Sequence, residues 1–409
     1  MPEAARVEHR RACHLCEAIC GLVIETQGEQ ILSIKGDPDD PLSRWHICPK
    51  GVALQDLHSD PDRLREPMKR VRKDDGSYHH VPVSWDEALD TAAAALVNSV
   101  KSYGVDSIGV YLGNPSVHNY GMLTHQGALF KHLRTKNRFS ATSVDQLPHH
   151  LVSLWLYGHK SLLPVPDIDR TDFFLMLGAN PLASNGSIWT VPDVRKRIKS
   201  MVARGGKLVV IDPRRTETAD LASEHHFIKP GADAVFLLAL INVMFRDALI
   251  NLGDLAEFTD GLVAVAGAVS PFTPELAATA TGIASDDIVR IATEMAAADR
   301  AVCYGRMGVS TQEFGTICQW ATQVLNVITG NLDREGGLMF ARPAVDQVLT
   351  AGPGGFNRHQ SRVRGLPEFD RELPAAALAE EIATPGEGQI RTLFTGAGNP
   401  VLSTPSGHK

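Results

Sequence analysis

Four cysteines stand near the start of the chain in the pattern C-x2-C-x3-C-x27-C: Cys13, Cys16, Cys20 and Cys48. A structural zinc site usually takes two separate C-x2-C-like pairs. Here three thiols share one loop and the fourth arrives from a distance. That distribution suits an iron–sulfur cubane, whose corners take thiolates from several directions. Soft thiolates serve both metals, so the spacing leaves zinc, or an unliganded set, open. Lys50, in "CPKG", is either a plain surface charge or a cation beside a thiolate cluster, where it would favour the reduced, more negative state. Cys303 and Cys318 lie in apolar surroundings and read as small buried hydrophobes.

A second set of residues has the chemistry of nucleotide recognition. Four stretches read as strand ends carry Gly/Asn/Pro turns: "YLGNPS", "MLGANPLASN", "CYGRMGVS" and "FTGAGNPVLS". Each turn could point backbone N–H groups at a phosphate. The likeness of "GANPLAS" to "GAGNPVLS" suggests two similar halves. In "VVIDPRRTETA", Asp212 stands where an acid would accept hydrogen bonds from a ribose or a purine edge, and Arg214 and Arg215 offer forks for phosphate. Asp233, after Pro230-Gly231, is a second purine reader. Taken singly, each of these charges also reads as a solvated loop residue.

A third stretch, "NRFSATSVDQLPHHL", is dense in hydroxyl, carboxylate and imidazole. Ser140, Thr142, Ser143 and Asp145 are candidate hard-oxygen metal ligands, and His149 or His150 a candidate proton relay. The plainer alternative is a capped helix, with Asp145 as the cap and the histidines on its first turn.

These groups need elements to hold them. Residues 1–62 are turn-rich, with short strands at "GLVIET" and "QILSIKG". From about residue 80 the chain alternates strand and helix. Ser84 and Glu87 form a capping box ahead of a long helix. "TDFFLMLGANP", "KLVVIDPRR" and "DRAVCYGRMGV" read as strands that end in turns and feed helices, which predicts parallel sheets in an α/β fold. "AVFLLALINVMF" is a buried helix and too short to span a bilayer. With 44% hydrophobic and 21% charged residues the 409-residue chain can bury a large core, and its net charge of −7 gives no reason to expect nucleic acid. No apolar leader or twin-arginine signal precedes Cys13, so the cytoplasm is the expected compartment, and thiols there are ligands before they are disulfides.

Together "CHLCEAICGL…HICPKG", "LGANPLAS", "VVIDPRRTETA", "IKPGADA", "VITGNLDREGG" and "GAGNPVLS", in that order, resemble the molybdopterin oxidoreductase (dimethyl sulfoxide reductase) family over nearly the whole chain. The resemblance implies a [4Fe-4S] cluster on Cys13, Cys16, Cys20 and Cys48, and a bis(molybdopterin guanine dinucleotide) cofactor carrying molybdenum or tungsten. Lys50 would lie between cluster and pterin. Gly178, Asn180, Asp212, Arg214, Gly231 and Asp233 would hold one dinucleotide; Gly305, Gly308, Asn331, Gly398 and Asn399 would line the pterin crevice or hold its partner. The domains implied are a cluster domain at 1–62, a pterin-binding α/β domain at 63–135 plus 338–409, and an α/β domain inserted at 136–337. The family's C-terminal dinucleotide-binding domain is expected to be absent.

Many relatives supply a cysteine or selenocysteine to the metal, and the matching stretch here has none. An oxygen ligand is implied. Matching on "F-S-x-x-S" and the following proline favours Asp145; matching on "N-R-F-S" favours Ser140, with Ser143 a further alternative. Such a centre fits oxygen-atom transfer or hydroxylation better than a formate dehydrogenase type of reaction. The expectation is a two-electron redox enzyme with a small-molecule substrate and an external electron donor or acceptor protein. Two alternatives stand beside it: an electron-transfer subunit that keeps the fold without the metal, as in respiratory complex I, and a zinc-stapled α/β binding module.

Overall fold

The structure is a computed structural model and describes residues 4–408, so the outermost limits of the expected domains fall outside it. The chain forms two compact units, one built from the residues up to Ala141 together with those from Phe356 onward, the other from Thr142–Gly355.

The first unit opens with an antiparallel meander of β1 (Arg6–Ala12), β2 (Gly21–Gln27) and β3 (Gln30–Gly36). Its apolar face is small: Cys13, Ala18, Cys20, Leu22 and Ile34 are buried together. Helix α1 (Trp85–Tyr103) starts as expected, with the Ser84 hydroxyl accepting from the Glu87 N–H at 3.1 Å. Then come strand β4 (Ile108–Leu112), helix α2 (Tyr120–Leu133) and strand β5 (Arg138–Ser140), with β5 parallel to β4.

The second unit is built on four parallel strands: β6 (Phe173–Leu177), β7 (Lys207–Ile211), β8 (Glu224–His226) and β9 (Ala301–Gly305). Their order is β8-β7-β6-β9. Alternate residues of one strand enter two different cores. Phe173, Leu175 and Leu177 pack with α4 (Asp233–Arg246), α5 (Ser285–Ala297) and α6 (Gly315–Ile328), numbered after α3 (Leu147–Tyr157). Phe174 and Met176 pack with Trp189, Ile198 and Met201 on the other face. A sheet covered on both faces explains why "FFLML" is apolar throughout rather than alternating. Helix α4 is buried along most of its length, as its sequence predicts.

The chain then returns to the first unit, where β10 (Thr392–Gly396) lies parallel to β4 and completes the order β10-β4-β5. The unit limits differ from the expected ones at both ends: Arg138–Ser140 pairs with β4 and so belongs to the first unit, and the later limit is shifted too. Leu338–Met339 pairs with Val165–Pro166, and the Lys160 N–H donates to the Pro353 carbonyl, so the stretch after 337 stays with the second unit until Gly355.

Both sheets reverse their order beside the first strand: β6 is flanked by β7 and by the late-arriving β9, and β4 by β5 and the late-arriving β10. In open parallel sheets the crevice at such a reversal, beyond the carboxyl ends of the strands, is where ligands bind.

Candidate functional site

The first three cysteines ride the loop that joins β1 to β2, closed at its base by the Cys13 N–H donating to the Cys20 carbonyl at 2.8 Å. The "DPDD" turn braces this loop. Asp40 accepts from the Ser43 N–H at 2.7 Å and from its hydroxyl, and both Asp40 and Ser43 accept from the Gly21 N–H. Cys48 precedes the helical turn Pro49–Val52, and Gly51 in that turn lies so close that an added Cβ would stand 3.9 Å from the Cys13 sulfur. Burial raises the Cys13 thiol and pushes Cys20 up to about 12, and each feels the charge of its neighbours. Packed thiols of this kind become thiolates only when a cation compensates them.

The spacing of the sulfurs speaks to which cation. Tetrahedral zinc, with Zn–S of about 2.3 Å, holds its sulfurs about 3.8 Å apart. Among the described residues no three of these thiols come within 4.8 Å of one another. The described thiols therefore do not stand at zinc-bound separation. Lys50 is exposed on the Pro49–Val52 turn, while Cys303 and Cys318 are fully buried core residues.

In the second unit the expected turns meet at the reversal of the sheet. Leu177, Ile211 and Gly305 are register partners at the ends of β6, β7 and β9. Immediately beyond them Gly178 and Gly308 stand back to back, with the Gly308 N–H donating to the Gly178 carbonyl at 2.9 Å. An added Cβ on Gly178 would lie 2.8 Å from Gly308 Cα, and Gly178 has φ of +52°. The first unit repeats the device: an added Cβ on Gly398 would lie 2.8 Å from Gly113 Cα, at the ends of β10 and β4. Each reversal is thus floored by two glycine backbones in direct contact, with no room for a side chain between them.

Asn180 braces its turn, donating to Glu217 at 2.8 Å and accepting from the Thr218 hydroxyl at 2.7 Å. Asn399 accepts from the Leu402 N–H at 3.3 Å and caps the Pro400–Ser403 turn. Asp212 follows β7 and takes the Arg214 N–H at 2.8 Å. Asp233 is buried at the start of α4 and accepts from Gln312 at 3.0 Å. Burial raises both carboxyls, and the charge of Asp212 raises Asp233 further. Two acids held this way favour a partner that brings hydrogen-bond donors, as a guanine edge does. Arg214 is exposed, with Glu217 at 3.9 Å, and Gly231 makes a left-handed turn at φ +84° in open space.

Three expectations need correction. Asn331 does not line the crevice. It is buried at the opposite end of the sheet, where its amide accepts from the N–H of Ala301, the first residue of β9, and donates to Thr329. Gly305 is closed off too: an added Cβ would meet Val309 at 2.5 Å, and its carbonyl takes bonds from His149 and Gln319. His149 is no proton relay. Burial, reinforced by the charge of Arg306, brings its pKa down to about 3, and Nε2 is committed to the Gly305 carbonyl at 3.0 Å.

Asp145 does not cap α3 either. The N-cap is Gln146, with no side-chain bond. Asp145 Oδ1 instead accepts from Nη1 of Arg306 at 2.7 Å, and Arg306 Nη2 donates to the Ser187 hydroxyl at 2.6 Å. Since Arg306 directly follows β9, this places the Asp145 carboxylate at the mouth of the β6/β9 reversal. Ser140, in the first unit, is buried and donates to Glu372 at 2.5 Å; Ser143 is half-buried. Sequence reasoning missed Arg306. The one signal for it was a lone charge inside the strand-end turn "YGRMG".

Glu224, His226 and Asp287 also come within 4.8 Å of one another, but the same carboxylates hold Arg290 and Lys207, which makes this an ion-pair network.

Two parallel sheets, each reversing its order, with a set of four thiols ahead of them define a cluster-bearing nucleotide-cofactor protein. The family described as molybdopterin oxidoreductase matches residues 63–409, and its Fe4S4 domain matches residues 8–59. The chain belongs to the molybdopterin oxidoreductase family. It is 25% identical to the nitrate reductase of Symbiobacterium thermophilum over 97% of this chain and 55% of that protein. It is 29% identical to the thiosulfate reductase molybdopterin-containing subunit of Salmonella typhimurium over 80% of this chain and 41% of that one. The chain thus spans about half the length of these relatives. The acetylene hydratase of Pelobacter acetylenicus shares the fold, with a TM-score of 0.69 at 24% identity over 82% of this chain and 45% of its own. The family implies a [4Fe-4S] cluster and a molybdenum or tungsten bis(molybdopterin guanine dinucleotide) cofactor. The thiol set, the glycine floors and the paired acids fit those groups.

Proposed function

We propose that this chain forms the cluster- and pterin-holding part of a molybdenum- or tungsten-dependent oxidoreductase, with Asp145 as the protein ligand of the metal. One observation carries the reading: Asp145 stands at the mouth of the sheet reversal with Oδ1 held by Arg306 and Oδ2 without a hydrogen bond among the described residues. When bound, the cofactor supplies two-electron oxidation or reduction of a small molecule. The chain's own residues hold and orient it. Gly178 and Gly308 on one sheet, and Gly113 and Gly398 on the other, pack backbone against backbone at the strand ends, where N–H groups of the following turns would face the dinucleotide's phosphates. Asp212 and Asp233 receive the purine's donors. Cys13, Cys16, Cys20 and Cys48 would hold the cluster, which would supply single-electron exchange with an external protein, and Lys50 would be its neighbouring cation. The oxygen ligand supports oxygen-atom transfer or hydroxylation, in the cytoplasm.

In the electron-relay alternative the thiols alone would suffice, and the paired acids and glycine floors would have no use. The test is Asp145→Ala in protein from a host that makes the cofactor. The paramagnetic signal of the half-reduced metal should change or vanish while the reduced cluster's signal persists. An unchanged metal signal removes Asp145 as ligand, and metal analysis that finds iron alone supports the relay.

A further inference from the structure

Arg306 is 6% exposed, and its Nε has no hydrogen-bond partner among the described residues. A guanidinium so far from water needs an anion, and the strongest arrangement is a two-pronged fork on one carboxylate. The structure does not build that fork. Nη1 takes only Oδ1 of Asp145, and Nη2 turns to Ser187. One residue earlier, the Gly305 carbonyl holds His149 on the first turn of α3. Two consecutive residues at the end of β9 therefore clamp the 145–149 segment at both ends. The clamp fixes the Asp145 rotamer, engages one oxygen and leaves the other free, although the side chain is 37% exposed and could turn to water.

We infer that Arg306 is a positioning residue for the metal, acting through Asp145. It selects Oδ2 as the ligand atom, and by bonding Oδ1 it draws charge from the carboxylate and makes it a weaker donor. This rests on the reading of Asp145 as ligand. A cation withdrawn from beside that ligand leaves a stronger donor, which favours the oxidised metal and lowers its midpoint potential.

The experiment compares Arg306→Gln, Arg306→Lys and Asp145→Ala in protein from a cofactor-making host. Readouts are the half-reduced metal's paramagnetic signal, its midpoint potential and metal content, with the reduced cluster's signal as internal control. Arg306→Gln should shift the metal signal, lower the potential and cut metal occupancy by about 10- to 100-fold, leaving the cluster unchanged. Arg306→Lys, which keeps the charge but cannot span both contacts, should show a smaller shift. If Arg306→Gln loads no metal, Arg306→Lys decides: an unshifted signal overturns the inference. If Asp145→Ala alters the metal signal and the Arg306 variants do not, or raise only KM, the inference fails and the ligand reading stands. If Asp145→Ala leaves the metal signal as it was, the ligand reading itself falls.

Discussion

At the scale of single residues, the Asp145–Arg306 pair is asymmetric, and stability should show it. The arginine side chain is 7% exposed and the aspartate's 37%. Asp145→Ala strands a buried guanidinium on one neutral hydroxyl; breaking a buried pair from that side costs about 3–5 kcal/mol. Arg306→Met removes the buried charge and leaves a carboxylate that can reach water, so it should cost about 1–2 kcal/mol or less. Denaturant melts of the metal-free protein check this, and equal losses would contradict it. Cys48→Ser should abolish the cluster's paramagnetic signal, because three thiols on one loop cannot close a four-cornered set. The cysteines were legible because their meaning lies in local spacing. Arg306 was not, because its partner is 161 residues away and only the parallel pairing of β9 with β6 brings it there. Asn331 misled for a related reason. Its motif marks the cofactor-binding family, but the amide serves the far end of β9.

At the scale of elements, the glycine floors separate two uses of glycine that composition cannot tell apart. Gly178→Ala places a Cβ against backbone 2.8 Å away at a left-handed φ, and neither can yield. It should destabilise the second unit by about 1–3 kcal/mol or more, and block pterin loading. Gly231 is also left-handed but has nothing within 4 Å, so Gly231→Ala should cost only about 1 kcal/mol. Gly267 lies inside the Leu262–Val269 helix with open space around it, and Gly267→Ala should stabilise by about 0.5–1 kcal/mol. Thermal melts of the three variants should fall in that order, and a Gly178→Ala protein as stable as its parent would remove the backbone-contact argument. The strands themselves were legible, since apolar runs such as "KLVVI" and "AVCYG" sit in a doubly covered sheet. The end of the inserted unit was not. It depends on Leu338–Met339 pairing with Val165–Pro166, a two-residue contact far apart in sequence and too short to carry a pattern.

At the scale of the whole molecule, the two units differ in how the chain supplies them. Every strand of the four-stranded sheet lies within Thr142–Gly355, and so do the helices that cover it. The first unit's parallel sheet needs β4 and β5 from one end of the chain and β10 from the other. Its core around Tyr111 and Phe139 is completed by Leu373, Ala377, Leu378 and Ile390, all from the later segment. A fragment of residues 142–355 should therefore unfold cooperatively by itself, whereas residues 1–141 alone should not until 356–409 is supplied. The isolated fragment also carries its own pH signature. Burial alone would raise the Glu224 carboxyl, but hydrogen bonds from Arg290, Lys207 and His226 overcome it and bring the pKa down to about 2. A carboxyl lowered on folding lends stability that is complete above its ordinary value of about 4.5 and is lost as pH falls from there towards 2. The fragment's melting temperature should accordingly fall through that window, and Glu224→Gln should flatten the fall while lowering the plateau above pH 5. Circular dichroism melts of both fragments and the variant decide the matter. Cooperative unfolding of 1–141 alone would show that β10 and its neighbours are dispensable, and an unaltered acid limb in Glu224→Gln would place the pH dependence in other carboxylates.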